Sequence, residues 1–448
     1  MRVLIVPSFM STASKWKYES GFLLPSKLGQ WAARTKKAHV MLVTPGEIDF
    51  MQSQPYFTIR PAQKVIDHDM MSFSMGKVAG ISDVVKAIRD FGPDVVIVTA
   101  NKYANMLGTI FEADTVWRNE MVRVPLIMWD IIPDASDITE RGQKAGGRSS
   151  AAGFTLCNRV WFGSGATQRA SLNEIQKYYG FSATQHVIDD SIIVPACIDR
   201  AYMMESIPLG IQKRERFTIH IGGRWSGTKG YAMVTDAITA MRAMGEQVDL
   251  VYTGDPGSRG EADRRLAESQ ADIVKGLTQE GMWGVSSTCH IGVLSQDAQA
   301  MPCLPMENLA LGLPVLVRST DRLLGTYPQY PLIWADVREL MALIKSVKDN
   351  YALACHQTAQ WFEANWQRYD ITSLGDDLTN LDLYPTPSVP IEFDSQGVVS
   401  MRNVEPIFAT SIFARTMARR EAARIGNEEH LEDEKPRFDI TSEPPVPE

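Results

Sequence analysis

The chain has 448 residues, of which 44% are hydrophobic and 22% are charged, and its formal net charge is −8. This composition excludes collagen-like and wholly disordered proteins, and the length favours two or three domains that each bury a core. No uncharged apolar run reaches the length of about 18 residues that predicts a membrane-spanning helix. The N-terminal apolar run is broken by Pro7 and does not fit a signal peptide.

The negative charge and the cysteines say little about a specific ligand. The segment 428–448 carries a net charge of −6, and the remaining 427 residues carry −2, so an anionic partner for the body of the chain stays possible. The five cysteines are odd in number and form no CxxC pair, and the seven histidines are scattered. We therefore predict a reducing, cytoplasmic location and no metal site.

Short apolar strands alternate with helical segments in the first half of the chain. The apolar runs lie at residues 3–7, 38–44, 93–99, 124–129, 159–163 and 191–195, with helical patterns at 21–35 and 81–91. Continuous apolar runs of this length are typical of strands buried on both faces of a parallel sheet. The pattern predicts a doubly wound α/β domain, placed at residues 1–204.

The same alternation restarts after Gly210. Strands are predicted at residues 217–222, 248–253, 273–276, 290–294 and 314–317, with helices at 231–244 and from Met306 to Leu311. A second α/β domain is therefore placed at residues 205–372. Two such domains enclose a cleft, and ligands usually bind there at the C-terminal ends of the strands.

The last part of the chain differs in composition. Residues 373–426 are assigned to a crossing segment, a proline-rich linker and a basic helix at 404–425. The acidic, proline-rich tail at 427–448 is expected to be disordered.

Two segments in the second half carry most of the functional information. The first, 221–230, reads IGGRWSGTKG and joins a strand to a helix, so its glycines, Arg224 and Lys229 could bind a diphosphate. The second, 294–315, places Glu307 at the start of the next helix, where a carboxylate could accept both hydroxyls of a ribose. Each has a simpler explanation when taken alone: a glycine turn with two solvated bases, and a helix-capping acid.

Taken together, the two segments resemble the C-terminal half of family 4 glycosyltransferases, which have the GT-B architecture. The similarity includes Gly223-Arg224, Lys229-Gly230 and the spacing from Ser295 to Glu307, followed by NLALGLPV. Further similar stretches lie at 193–199, 252–255, 274–277 and 366–378, so the resemblance covers about residues 1 to 380. It implies two Rossmann-like α/β domains that face a cleft, the first binding the acceptor and the second the nucleotide-sugar.

The resemblance also implies a function and a set of site residues. The implied activity is sugar transfer from a UDP- or GDP-sugar with retention of configuration, without a metal ion or a further cofactor. Arg224, Lys229, Asp130 and Gln299 take the catalytic positions. The positions implied for donor binding are Gly222, Gly223, Gly254, Lys275, Leu277, Ser295, Met301, Cys303, Leu304 and Glu307.

Three positions depart from the family pattern. Gln299 stands where the family has the first acid of its Glu-x7-Glu pair, and Trp129 stands where it has a histidine before Asp130. Trp129 could stack on a sugar ring, and Asp130 could position or deprotonate an acceptor hydroxyl. Residues 8–15 replace the family's glycine-rich loop after the first strand.

The acceptor is open. A saccharide or lipid-linked acceptor is favoured, and a DNA base, as in virus-type DNA glucosyltransferases, is an alternative that the Arg-rich helix permits. Two other classes stay open, the first of which fits the departures at Trp129 and Gln299. One is a catalytically inactive GT-B module that only binds nucleotide-sugars, and the other is a sugar-nucleotide epimerase.

Overall fold

The computed structural model describes most of the first 379 residues. It covers residues 1–7, 20–48, 51–71, 74–117, 124–130, 151–194, 197–207, 210–223, 225, 229–254, 260–296 and 303–379. The predicted site residues Arg224, Gln299 and Met301 lie outside these ranges, as do the predicted linker, the basic helix at 404–425 and the acidic tail.

The first half of the chain contains nine described strands: β1 (Arg2–Val6), β2 (His39–Thr44), β3 (Phe57–Pro61), β4 (Val65–Met71), β5 (Ser74–Ala79), β6 (Val95–Val98), β7 (Leu126–Asp130), β8 (Arg159–Phe162) and β9 (Ser191–Ile193). Seven of them form a parallel sheet with the strand order β3-β2-β1-β6-β7-β8-β9. Strands β4 and β5 form a separate antiparallel pair. Its helices are α1 (Ser20–Thr35), α2 (Ile81–Phe91), α3 (Asn101–Trp117), α4 (Gly165–Asp189) and α5 (Arg200–Ser206).

The strands of the second half are β10 (Phe217–Gly222), β11 (Val248–Thr253), β12 (Asp272–Val274), β13 (Ile291–Leu294), β14 (Val315–Arg318) and β15 (Ile333–Trp334). They form a six-stranded parallel sheet with the order β12-β11-β10-β13-β14-β15. Its helices are α6 (Tyr231–Ala243), α7 (Gly260–Glu268), α8 (Gln279–Thr288), α9 (Cys303–Ala310), α10 (Asp321–Thr326), α11 (Val337–Asp349), α12 (Tyr351–Asn365) and α13 (Ile371–Thr379). The strand order reverses between β10 and β13, which makes that pair the topological switch point of the sheet.

The helix α13 returns to the first half of the chain and packs against α1. Its residues Ile371, Leu374 and Leu378 share a buried core with Trp31, and a Cβ atom on Gly375 would lie 1.9 Å from the Trp31 ring. Only a glycine therefore allows the two helices to approach this closely.

None of the helices in the described ranges is long and apolar enough to cross a membrane.

The architecture confirms the predicted fold of two parallel α/β sheets, while the domain limits stay predictions. Two local expectations were wrong. The helix predicted from Met306 begins at Cys303. Trp129 has no exposed surface and packs edge-to-face on Trp161 with the ring centroids 5.6 Å apart, so its ring is not free to stack on a sugar.

Candidate functional site

The turns after β10 and β11 are held together by their backbones. Gly254 has a φ of +145°, and a Cβ atom there would lie 2.3 Å from the carbonyl oxygen of Gly223. The backbone nitrogen of Gly223 donates to the carbonyl oxygen of Thr253 at 2.8 Å, and the Tyr252 hydroxyl donates to the carbonyl oxygen of Gly223 at 2.6 Å. Only glycine tolerates this φ and this close approach, so Gly254 is required for the shape of this turn.

A second close approach joins the segments that follow β10 and β13. Gly230 precedes α6 with a φ of +64°, and a Cβ atom there would lie 2.3 Å from the carbonyl oxygen of Ser295. The Ser295 hydroxyl donates to the carbonyl oxygen of Lys229 at 2.8 Å. The start of α6 therefore lies at the switch point of the sheet, and the N-terminus of a helix is a place that stabilises an anion.

Lys229 supplies a positive charge at this junction. Its Nζ donates to Oε1 of Gln296 at 2.9 Å. Ser295 and Gln296 are almost fully buried, with 1% and 3% of their surfaces exposed. The ammonium group is therefore positioned by a buried side chain beside the N-terminus of α6.

Glu307 is buried and is held by groups from two other helices. Its Oε1 accepts a hydrogen bond from Lys27 Nζ of α1 at 2.7 Å and another from Gln279 Nε2 of α8 at 2.8 Å. Only 2% of its surface is exposed. Glu307 is the fifth residue of α9, and no acid lies in the first turn of that helix, so the helix-cap explanation is wrong.

Lys27 keeps its positive charge at neutral pH in this contact. Burial by itself lowers the pKa of Lys27, but the charge of Glu307 and its hydrogen bond outweigh that effect and raise the pKa above its ordinary value. Lys27 is 280 residues from Glu307 in sequence. This contact therefore connects the first half of the chain to the site in the second half.

A buried histidine lies beneath this site. His220 of β10 contacts Thr253 Oγ1 through Nε2 at 2.8 Å, and its Nδ1 contacts Ser286 Oγ at 3.1 Å and Asn308 Nδ2 at 3.4 Å. Burial lowers the pKa of His220 to about 4, so the ring is neutral at pH 7. Its network fixes Asn308 directly beside Glu307 in α9, which is a structural role.

The other predicted donor-binding residues are only partly gathered at the same edge of the sheet. A Cβ atom on Gly222 would lie 2.7 Å from Leu304 Cδ2, so those two residues are in contact. The backbone nitrogen of Gly254 donates to the carbonyl oxygen of Val274 at 3.2 Å, which places the exposed Lys275 near that edge. No contact described for Leu277, which is half-buried, joins it to the group.

Two further predicted site residues are a thiol that stays protonated and a buried carboxylate in the first sheet. Burial raises the pKa of the Cys303 thiol to about 12, so the thiol stays protonated at neutral pH. Asp130 lies at the end of β7 in the first sheet and is 1% exposed.

Three residues at the site were missed by sequence reasoning: Lys27, Gln279 and Gln296. Gln296 directly follows the predicted Ser295, so its position on the chain was a usable signal. Lys27 and Gln279 reach Glu307 only through the packing of α1 and α8 on α9. No pattern in the sequence indicates those contacts.

No family model matches this chain, and no curated protein matches it in sequence. Solved structures do match its fold. Sucrose-phosphate synthase from Thermosynechococcus elongatus has a TM-score of 0.58 at 13% identity, over 85% of this chain and 97% of that one. A trehalose-6-phosphate structure from E. coli bound with UDP-2-fluoro glucose has a TM-score of 0.58 at 11% identity, over 87% and 100%.

A third similar structure is the lipopolysaccharide outer core galactosyltransferase WaaB in its apo form. Its TM-score is 0.52 at 10% identity, over 85% of this chain and 99% of that one. The chain therefore has the two-domain GT-B fold that these structures share.

Proposed function

We propose that this protein is a GT-B glycosyltransferase that moves a sugar from a nucleotide-sugar donor to an acceptor hydroxyl, with retention of configuration. The observation that carries the proposal is the junction at the switch point, where Lys229, Gly230 and Ser295 meet beside the N-terminus of α6. The acceptor is proposed to be a saccharide or a lipid-linked saccharide.

The diphosphate of the donor would lie at this junction. The N-terminus of α6 offers backbone N–H groups, and Lys229 neutralises charge. Glu307 suits the ribose, because its carboxylate is fixed by Lys27 and Gln279 at one oxygen and a carboxylate accepts several hydrogen bonds. The UDP-2-fluoro glucose bound in the E. coli structure of the same fold supports a donor of this class.

Catalysis would depend on stabilising the departing diphosphate. Lys229 and the α6 backbone N–H groups are positioned before the reaction, so they stabilise the negative charge as it develops. Arg224 is proposed to add a second positive charge, which would make a metal ion unnecessary. Asp130 is proposed to position the acceptor hydroxyl, and Gln299 to bind hydroxyls of the donor sugar.

The test is a panel of UDP-, GDP- and ADP-sugars, with thermal stability and mass spectrometry of each mixture as readouts. We expect one donor to stabilise the protein and to release its nucleotide slowly. Lys229→Met should abolish both effects. Lys213→Met is the matched control, because Lys213 Nζ also donates to a protein oxygen, the carbonyl of Cys289, at 2.6 Å, outside the site. Stabilisation of the Lys229 variant equal to that of the native chain would contradict the proposal.

A second candidate is a module that binds a nucleotide-sugar without transferring the sugar. The burial of Trp129 favours it, because that position offers no polar contact to a sugar. Donor-dependent stabilisation with no nucleotide release across a wide panel of acceptors would support this second candidate.

A further inference from the structure

The contact with Lys229 determines which way the side-chain amide of Gln296 is oriented. A lysine ammonium group only donates hydrogen bonds, so the atom of Gln296 that faces Lys229 Nζ at 2.9 Å must be the carbonyl oxygen Oε1. The amide nitrogen Nε2 therefore points away from Lys229.

The amide nitrogen of Gln296 has no hydrogen-bond acceptor within the part of the chain that the structure describes. Gln296 is 3% exposed, and its amide nitrogen is buried. Nearly all buried polar side-chain atoms in proteins have a partner, so two unused N–H donors call for an explanation. This atom belongs to Gln296, the second residue after β13, whose Oε1 holds Lys229 at the switch point.

We propose that Gln296 is a donor-binding and positioning residue: Oε1 holds Lys229, and Nε2 donates to a phosphate oxygen of a nucleoside diphosphate. This inference rests on the proposed function and deepens it. A phosphate oxygen is an acceptor that matches an N–H group, and the ammonium of Lys229 and the N-terminus of α6 already favour an anion there. A neutral amide serves both contacts, whereas a carboxylate would keep Lys229 in place and repel the phosphate.

The experiment measures the affinities of UDP, GDP and ADP by calorimetry for the full-length chain, and those of uridine, guanosine and adenosine by competition. Gln296→Glu keeps an oxygen for Lys229 but removes the donor and adds negative charge. Gln296→Leu removes both contacts. Gln168→Leu is the control, because Gln168 Nε2 donates to Ser191 Oγ at 3.0 Å in the first half of the chain, away from the site.

We expect Gln296→Glu to weaken binding of the preferred diphosphate by about 100-fold and Gln296→Leu by about 10-fold. The affinity for the matching nucleoside should not change, because the lost contact is to phosphate. A residue with a structural role alone would leave the ratio of diphosphate to nucleoside affinity unchanged. If the leucine variant does not fold, the glutamate variant decides, since its carboxylate is paired with Lys229.

The outcomes separate this inference from the proposed function. A native chain that binds none of the three diphosphates overturns the proposed function and this inference with it. A native chain that binds one of them, with Gln296→Glu binding it equally well, overturns this inference alone. Equal losses in diphosphate affinity for Gln296→Leu and Gln168→Leu would also overturn it.

Discussion

The two halves of the chain contribute to the candidate site by different means. In the second half, backbone meets backbone, since a Cβ atom on Gly230 would lie 2.3 Å from the carbonyl oxygen of Ser295. The first half reaches the site through a long side chain, with Lys27 of α1 donating to Glu307 at 2.7 Å. The contact of Gly230 with Ser295 therefore depends on shape, and the contact of Lys27 with Glu307 depends on charge.

The two contacts should therefore be disrupted by different kinds of substitution. The backbone contact should reject any added side-chain atom, whatever its charge. The side-chain contact should tolerate a change of shape and depend on whether a buried carboxylate still has a positive partner. Substitutions at the two contacts can therefore be used to test whether shape and charge are separate requirements.

The largest effect is expected at Lys27. Lys27→Met leaves the carboxylate of Glu307, which is 2% exposed, without its positive partner. Breaking a buried ion pair from one side costs about 3 to 5 kcal/mol, so we expect the free energy of unfolding to fall by that amount. Denaturation with urea, monitored by circular dichroism, measures it.

The control for this prediction is the double variant Lys27→Met, Glu307→Gln. It removes the buried charge together with its partner, so it should recover much of the stability lost by Lys27→Met alone. If the single variant costs less than about 1 kcal/mol, the charge of Lys27 is not what stabilises this contact.

The second prediction tests the backbone contact. Gly230→Ala introduces a Cβ atom at a φ of +64° and against the carbonyl oxygen of Ser295. We expect a loss of about 3 kcal/mol in unfolding free energy, because strain in the left-handed region and the overlap both act. Thermal denaturation of the purified variant measures it.

Gly245→Ala is the matched control for the backbone contact. Gly245 also has a positive φ, of +86°, but nothing lies within 4 Å of an added Cβ atom. Its substitution should cost only about 1 to 2 kcal/mol, from backbone strain alone. Equal losses for the two alanine variants would show that the contact with Ser295 adds nothing.

The contrast also explains which features the sequence could predict. Eleven of the fifteen strands in the described ranges and the glycine turn after β10 are local patterns that could be predicted from runs of a few residues, whereas β3, β4, β5 and β15 were not predicted. The start of α9 was not predicted correctly: the helix begins at Cys303, and Pro305 lies in its first turn, where proline is tolerated. The burial of Trp129 could be predicted, since this residue ends the apolar run at 124–129, and all five residues of β7 are buried as expected for a strand inside a parallel sheet.

The Lys27 contact could not be predicted for a different reason. It depends on how α1 and α9 pack, and 280 residues separate its two members. A lysine in a helix is usually solvated, so its residue type gave no reason to select it. Contacts of this kind are determined by the tertiary structure and have no local signal.

The third prediction concerns the neutral His220 beneath the site. Its pKa is about 4 in the folded chain and 6.5 when unperturbed. Between these values the unfolded chain takes up a proton that the folded chain does not, so stability falls as the pH falls from 6.5 towards 4. We expect His220 to contribute a loss of about 2 kcal/mol between pH 7 and pH 5.

Urea denaturation at both pH values, compared with His220→Asn, isolates this contribution. Burial also lowers the pKa of His290, so the native chain has more than one source of acid sensitivity. The variant should lose less stability on acidification than the native chain by the amount that His220 contributes. Identical pH dependence in the two proteins would contradict a neutral, buried His220.

The smallest effect is expected at Arg34, the other cation of α1 that forms a long-range ion pair. Arg34 pairs with Asp199, and its guanidinium carbon lies 4.6 Å from the centre of the Tyr202 ring. The Arg34 side chain is 45% exposed, whereas that of Lys27 is 14% exposed. Water therefore screens the Arg34 pair, and Arg34→Met should cost about 1 kcal/mol or less in urea denaturation. If it costs as much as Lys27→Met, the burial of the cation is not what distinguishes the two contacts, and the contribution of α1 would have to be explained by the packing of the whole helix.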